Sequence, residues 1–186
     1  VSLGYGYKLG VDLPYEKRGM IPNSNYYNKW YGKKGWRGAT IISNAIGQGE
    51  ILATPIQIAN FCATIANRGW FYTPHLVKKI KGQKLDTLYT KKHITSIKPE
   101  YFLPVVEGMK GAALHGTAAG VAVPGIEICG KTGTAQNTGA RDHSIFMCFA
   151  PANNPKIAMV IFIENGGFGA ECAVPIGSLL IEKYIN

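Results

Sequence analysis

The sequence predicts an α+β domain in which an antiparallel sheet is flanked by helices. Three observations carry this. Three strand-like stretches follow one another near the C-terminal end, at 127–136, 144–150 and 157–164, separated by turn-forming residues. Thr54-Pro55-Ile56-Gln57 combines a capping threonine, a proline at the first helical position and a capping-box glutamine. Beyond the last strand, Ala173, Ile176, Leu180 and Tyr184 recur at helical spacing. The 186 residues suffice for one domain with a real core, and 46% hydrophobic against 17% charged residues argues against disorder. No apolar run is long enough to cross a bilayer, and no signal peptide is evident. The chain opens on Val1 rather than methionine, which reads as a processed or excised piece.

Residues 1–38 are rich in glycine, tyrosine and lysine. Gly4-Tyr5-Gly6-Tyr7-Lys8-Leu9-Gly10 approximates a dinucleotide fingerprint, but it carries one residue too many and no strand precedes it. Residues 11–22 read as extended chain with turns. Tyr26 to Arg37 interleaves five aromatics with Lys29, Lys33, Lys34 and Arg37. That mixture suits a single-stranded nucleic-acid platform, or a long loop anchored by its own aromatics; the loop is the reading adopted. Ile46-Gly47-Gln48-Gly49 is a tight turn. The helix from Thr54 presents Ile58, Cys62, Ile65 and Ala66, and stops at Asn67-Arg68-Gly69.

Residues 70–80 read as extended, broken at Pro74, and 81–98 as a solvated loop or short hairpin. A helix over 99–113 buries Phe102, Leu103, Val106 and Met109, with Pro104 tolerated only in its first turn. Gly116-Thr117-Ala118 then leads through a glycine-rich link to the first long strand. The third strand, from Ile157, is apolar on both faces, which predicts a central or well-covered position.

A net charge of +9 favours anionic partners. Cys62, Cys129, Cys148 and Cys172 lie in apolar surroundings and read as buried free thiols. A hairpin of the first two long strands would bring Cys129 near Cys148, so a disulfide there stays open. The four histidines show no metal spacing, so neither metal nor cofactor is predicted.

One stretch carries chemistry. Gly125-x-x-x-x-Gly130-Lys131-Thr132 matches a phosphate-binding loop, but its intervening residues alternate like a strand and no helix begins after Thr132. Read instead as an edge strand beside a cleft, it can pair with an extended peptide. Gly133 permits close approach, and Thr132 and Thr134 share one side, where their hydroxyls could hold a terminal carboxylate. Lys131 adds positive charge or relays a proton. The backbone N–H of Thr134 could stabilise an oxyanion, a contribution of ~3 kcal/mol for one such donor. The half-site has no evident nucleophile. None of the six serines begins Ser-x-x-Lys or Ser-x-Asn, and no Ser-His-Asp set is suggested. Tyr26-Tyr27-Asn28 fits a Tyr-x-Asn variant by coincidence.

An ordered series of segments surrounds this stretch: Gly10-Val11-Asp12-Leu13-Pro14, Gly19-Met20-Ile21-Pro22, Ala45-Ile46-Gly47-Gln48-Gly49, Thr54-Pro55-Ile56-Gln57, Ala66-Asn67-Arg68-Gly69 and Pro74-His75-Leu76-Val77. Gly116-Thr117-Ala118, Lys131-Thr132-Gly133-Thr134-Ala135-Gln136, Asp142-His143-Ser144-Ile145-Phe146, Phe149-Ala150-Pro151 and Glu164-Asn165-Gly166-Gly167 complete it. Together they resemble the C-terminal part of the transpeptidase domain of class B penicillin-binding proteins, most of all the elongation type. The resemblance covers nearly the whole chain and implies the penicillin-binding, serine β-lactamase-like fold.

It also implies a serine acyl transferase that attacks the D-Ala-D-Ala end of a peptidoglycan stem peptide and is acylated by β-lactams. Lys131 and Thr134 take catalytic roles on that reading, and Thr132, Gly133, Thr134 and Gln136 bind substrate. Implied partners are the stem peptide, β-lactam antibiotics and other cell-wall elongation proteins, without nucleic acid. The implied location is the bacterial cell envelope, on the periplasmic face of the inner membrane, with an N-terminal anchor outside this chain. In the family the Ser-x-x-Lys and Ser-x-Asn motifs precede the Asp-Leu-Pro segment, so residues 1–186 are expected to be a partial domain, inactive alone. A non-catalytic penicillin-recognising sensor or scaffold is the alternative, and a basic nucleic-acid-binding domain a third reading.

Overall fold

A computed structural model describes residues 2–185. Six helices are described: α1 (Ser24–Tyr31), α2 (Gly38–Ile41), α3 (Pro55–Ala66), α4 (Thr87–Thr90), α5 (Leu103–Leu114) and α6 (Ala173–Ile185). Two short strands, β1 (Trp70–Phe71) and β2 (His93–Ile94), pair with each other. Three longer strands, β3 (Cys129–Ala135), β4 (His143–Ala150) and β5 (Ile157–Ile163), form an antiparallel sheet in the order β3-β4-β5. The expected α+β layering is present.

β4 is the central strand, and both its faces are buried. Phe146, Cys148 and Ala150 enter one apolar cluster with Val174 and Ile181 of α6. Phe149 enters the other with Cys62 and Ile65 of α3 and with Val106 and Met109 of α5. Burying one phenylalanine side chain contributes about 2–3 kcal/mol, and both phenylalanines are fully buried. Phe146 fits only because two glycines flank its ring. A Cβ on Gly130 or on Gly177 would sit 2.6 or 2.7 Å from ring carbons.

That approach corrects the expected face of α6. The helix turns Ala173, Val174, Gly177 and Ile181 inward, while Ile176, Leu180 and Tyr184 stay at least 40% exposed. Ile176, Leu180 and Tyr184 mark the wrong side here, because Gly177 lets the face it shares with Ala173, Val174 and Ile181 approach the ring of Phe146. Of the two positions the sequence left open for β5, central or well covered, the structure gives the second. Among the described strands it pairs only with β4, and its apolar character answers α3 and α6 packed over its two faces.

α3 starts as the sequence predicts. Thr54 N–H donates to Gln57 Oε1 at 3.0 Å, and Gln57 N–H donates to Thr54 Oγ1 at 3.4 Å. The same Gln57 side chain is fully buried and donates to the carbonyls of Tyr7 and Arg18 at 2.9 and 3.0 Å. One amide thus caps a helix and ties two segments of the N-terminal region to it. The predicted helix over 99–113 opens as a 3-10 turn at Pro99–Phe102, and Pro104 lies in the first turn of α5, where it costs no hydrogen bond. Leu103 is more than half exposed, so it leaves the predicted apolar face.

The aromatic-basic segment contains a helix rather than a long loop. Asn23 caps α1 by accepting from Tyr26 N–H. Self-anchoring by the aromatics does hold: Tyr27 is buried beside Tyr31 and Trp36, and Trp36 Nε1–H donates to Asn28 at 2.9 Å. The hydroxyl of Tyr27 donates to Glu50 and accepts from Asn44. This packing engages Tyr27 and Trp36, while Trp30 stays exposed. The region predicted as loop or hairpin forms α4 and β2.

Asp12 joins the first extended segment to the Pro74–Val77 segment by accepting from the backbone N–H groups of Leu76 and Val77 at 2.8–3.0 Å. These donors hold its carboxyl below the ordinary value of 3.8. Stability from this contact is therefore fully present above pH 3.8 and is lost as pH falls through the lower, folded value. Limited proteolysis of residues 10–22 should rise over that acid range, and Asp12→Asn should show the same susceptibility at neutral pH with no acid-dependent step from this site. Gln57→Ala should lose roughly 3 kcal/mol in urea unfolding, because buried backbone partners are left without a hydrogen bond.

Candidate active site

The four residues singled out in sequence lie on β3, the edge strand. β3 begins at Cys129, later than predicted, because residues 123–126 close a separate bridge. Its register places Thr132 opposite Phe146 and Thr134 opposite Ser144, so both threonines share one side. Lys131, opposite Met147, lies on the other side and is exposed.

Two contacts show which way the edge points. Lys131 Nζ donates to the carbonyl of Thr132 at 2.8 Å, and Gln48 Nε2 donates to the carbonyl of Thr134 at a long 3.5 Å. Both donors are side chains outside the β3–β4 ladder. A residue in an antiparallel strand sends its N–H and C=O the same way. The N–H groups of Thr132 and Thr134 therefore face away from β4, toward the free edge. Lys131 has no carboxylate within ion-pair distance among the described residues.

Gly133 has an informative environment. A Cβ there would meet only Ile145, at 3.4 Å and beyond, which is ordinary contact. Neither internal packing nor a positive φ demands glycine at this position. What its missing side chain leaves open is the surface of the strand. Gln136 lies past the end of β3 and is exposed.

The loop beyond β3 is clasped from behind. Asn137 N–H donates to Asp142 at 3.0 Å, and Asn137 Nδ2 donates to Asn165 at 2.9 Å. Gly167 N–H donates to the Asp142 carbonyl at 2.8 Å, and Asn165 N–H to His143 Nδ1 at 3.0 Å. Ser144 is fully buried; its hydroxyl donates to the Phe168 carbonyl and accepts from Ala173 N–H. Both its roles are occupied by the fold, so it is no nucleophile.

Thr117 is a site residue that sequence reasoning did not select. Its Oγ1 lies 2.6 Å from Oγ1 of Thr132. Gln48 was also missed. Both belong to short segments noted for resemblance only, and no periodicity links them to β3. The larger concavities lie elsewhere, one beside Lys110, Leu114 and Ile126, another beside Lys8, Tyr15 and Arg18. The edge of β3 is an open wall.

A family model for the penicillin binding protein transpeptidase domain matches residues 2–182. The chain belongs to the penicillin-binding protein transpeptidase family. Relatives include the peptidoglycan D,D-transpeptidase MrdA of Acinetobacter baumannii, 36% identical over 190 residues that cover 92% of this chain and 28% of the relative. The peptidoglycan D,D-transpeptidase PbpA of Mycobacterium tuberculosis is 35% identical over 80% of this chain and 32% of its own length. Among solved structures, Pseudomonas aeruginosa PBP2 in complex with WCK 5153 superposes with a TM-score of 0.86 at 35% identity, covering 98% of this chain and 40% of that one. Helicobacter pylori PBP2, in its complex with MreC, gives 0.79 at 33% identity over 97% of this chain and 33% of that one. The chain spans roughly a third or less of the length of these curated relatives.

In this transpeptidase-family chain Cys62, Cys129 and Cys148 are buried and supply no substitute nucleophile. All four are free. Cys129 pairs with Phe149 and Cys148 with Gly130, so these cysteines point to opposite faces of the sheet and the hairpin disulfide is excluded. Burial pushes the Cys129 thiol up to about 11 and the Cys148 thiol up to about 12, and it raises Cys62 as well. A native thiol titration at pH 8 should therefore modify Cys172 rapidly, and the three buried thiols only after denaturation.

Proposed function

We propose that this chain forms the Lys-Thr-Gly wall of a peptidoglycan D,D-transpeptidase that cross-links stem peptides by serine acyl transfer. The observation that supports it most is the free edge of β3, where Thr132 and Thr134 turn their N–H groups outward beside Lys131, which has no carboxylate partner among the described residues. An extended D-Ala-D-Ala terminus would align along that edge, with its carboxylate on the hydroxyls of Thr132 and Thr134. Gly133 leaves room for its backbone, and Gln136 borders it at the strand end.

The reaction needs a serine in a Ser-x-x-Lys setting, which residues 1–186 do not contain. In the proposed step that serine oxygen bonds to the penultimate D-Ala carbonyl. The oxyanion accepts from Thr134 N–H. The peptide bond breaks as the proton lost by the serine hydroxyl is passed to the leaving nitrogen, and terminal D-Ala departs as the amine. An amine of a second stem peptide then attacks the acyl-enzyme, loses a proton and frees the serine. Lys131 lowers the energy of the negative charge that gathers around the carboxylate and the transferring proton. β-Lactams would acylate the same serine, and the ring nitrogen would remain attached.

The same reading makes residues 1–186 part of a larger domain in the bacterial cell envelope, at the periplasmic face of the inner membrane. No described helix is long and apolar enough to cross a membrane. Elongation proteins are the proposed partners, in line with the complex of the Helicobacter pylori PBP2 with MreC.

The test is a chimera in which these 186 residues replace the matching stretch of the Acinetobacter baumannii enzyme. It should form a covalent adduct with fluorescent penicillin. Lys131→Ala should slow acylation by about a hundredfold or more. The 186-residue chain alone should not label; stoichiometric labelling of it would overturn the division of the site proposed here.

A further inference from the structure

We infer that Thr117 is a positioning residue, acting through Thr132 to make the edge of β3 selective for a carboxylate. This rests on the function proposed above and deepens it. The two hydroxyl oxygens are 2.6 Å apart, a hydrogen-bond distance with room for one proton between them. A threonine hydroxyl has one hydrogen and can both donate and accept. When Thr117 donates to Thr132, the hydrogen of Thr132 is released toward the ligand. A carboxylate only accepts, and its charge makes the bond it accepts stronger than that of a neutral ester carbonyl, so it favours this direction most: Thr117 to Thr132 to carboxylate. Each bond in such a chain polarises the next.

The fold holds both ends of the pair. Thr117 sits in the turn after α5, where N–H groups of Gly116 and Ala118 both reach the Ala112 carbonyl, at 3.2 and 3.1 Å. Gly116 passes so near α5 that a Cβ would stand 2.8 Å from Ala112 Cα. Ala118 is fully buried in the cluster that includes Phe146. The Gly-Thr-Ala order therefore reads as approach, hydroxyl and anchor. On β3, Gly169 crosses so closely that a Cβ would lie 3.2 Å from Thr132 Cβ. The missing Cβ leaves room there for Thr132, a β-branched side chain that is stiff at χ1. Thr132 is held by the ladder and by Thr117, and its hydroxyl hydrogen can point toward Thr117 or toward the ligand.

A merely structural role predicts equal losses for all ligands; a positioning role predicts much larger losses for anions than for neutral analogues. In the chimera, Thr117→Val should slow acylation by benzylpenicillin about tenfold, and Thr117→Ser should stay within about twofold of the parent. Acylation by the benzylpenicillin methyl ester should change by less than about twofold in either variant. Thr132→Val and the double variant Thr117→Val with Thr132→Val should acylate at the same rate, since Thr117 acts through Thr132. Equal losses for acid and ester, or additive effects in the double variant, would overturn the inference.

Non-covalent binding gives a second readout that does not require chemistry. N-acetyl-D-Ala-D-Ala should bind the Thr117→Val chimera about tenfold more weakly than the parent, while the C-terminal amide of the same peptide should bind both alike. A parent chimera that binds the peptide without acylating would overturn the proposed function and leave the pair to be decided by this comparison. One that does neither would overturn both.

Discussion

Phe146 is the residue around which the sheet and the last helix agree. Its ring is fully buried on the central strand, and two glycines make room for it, Gly130 from β3 and Gly177 from α6. The contact fixes how closely α6 lies on the sheet and which of its faces turns inward. It also sits directly behind Thr132, its register partner on the edge strand. A side chain at either glycine would push the helix outward or β3 sideways, because packed interiors transmit volume changes rather than absorb them. The geometry of the wall thus depends on the tightness of the core behind it.

Above that core, the wall is kept open by polar ties rather than by apolar packing. Asp142, His143, Asn165 and Gly167 lash the loop beyond β3 to the segment that follows β5. Gln48 and Thr117 approach from two other parts of the chain and hydrogen-bond to β3 at its Thr134 carbonyl and its Thr132 hydroxyl. Segments that looked like isolated family signatures are therefore braces on one strand. Their spacing in sequence is irregular because each reaches β3 from a different direction.

Several elements were legible because their signals are local. The capping box at Thr54 and Gln57 is a four-residue pattern, and it closes as read. The alternation around Lys131 named a strand, and that strand lies at the sheet edge. Other features were hidden because they depend on partners. The aromatic segment reads as a loop until Asn23 caps it and Tyr27 finds Trp36. The inward face of α6 cannot be chosen by hydrophobicity when the decisive residue is a glycine. β5 reads as central or well covered from its composition, and only the packing of α3 and α6 over its two faces decides for the second.

The sequence by itself determined the α+β class, the main helices and strands, the family through an ordered series of short motifs, and the placing of Lys131, Thr132, Gly133 and Thr134 on one strand. These are properties of neighbouring residues and of their order, so the chain states them directly. The tertiary structure alone decided that Cys129 and Cys148 face apart, that Gly133 answers no internal packing demand, and that Thr117 meets Thr132 across fifteen residues. Each of these depends on register or on a distance between segments. Such distances arise only when burial of Phe146 and its neighbours brings the segments together.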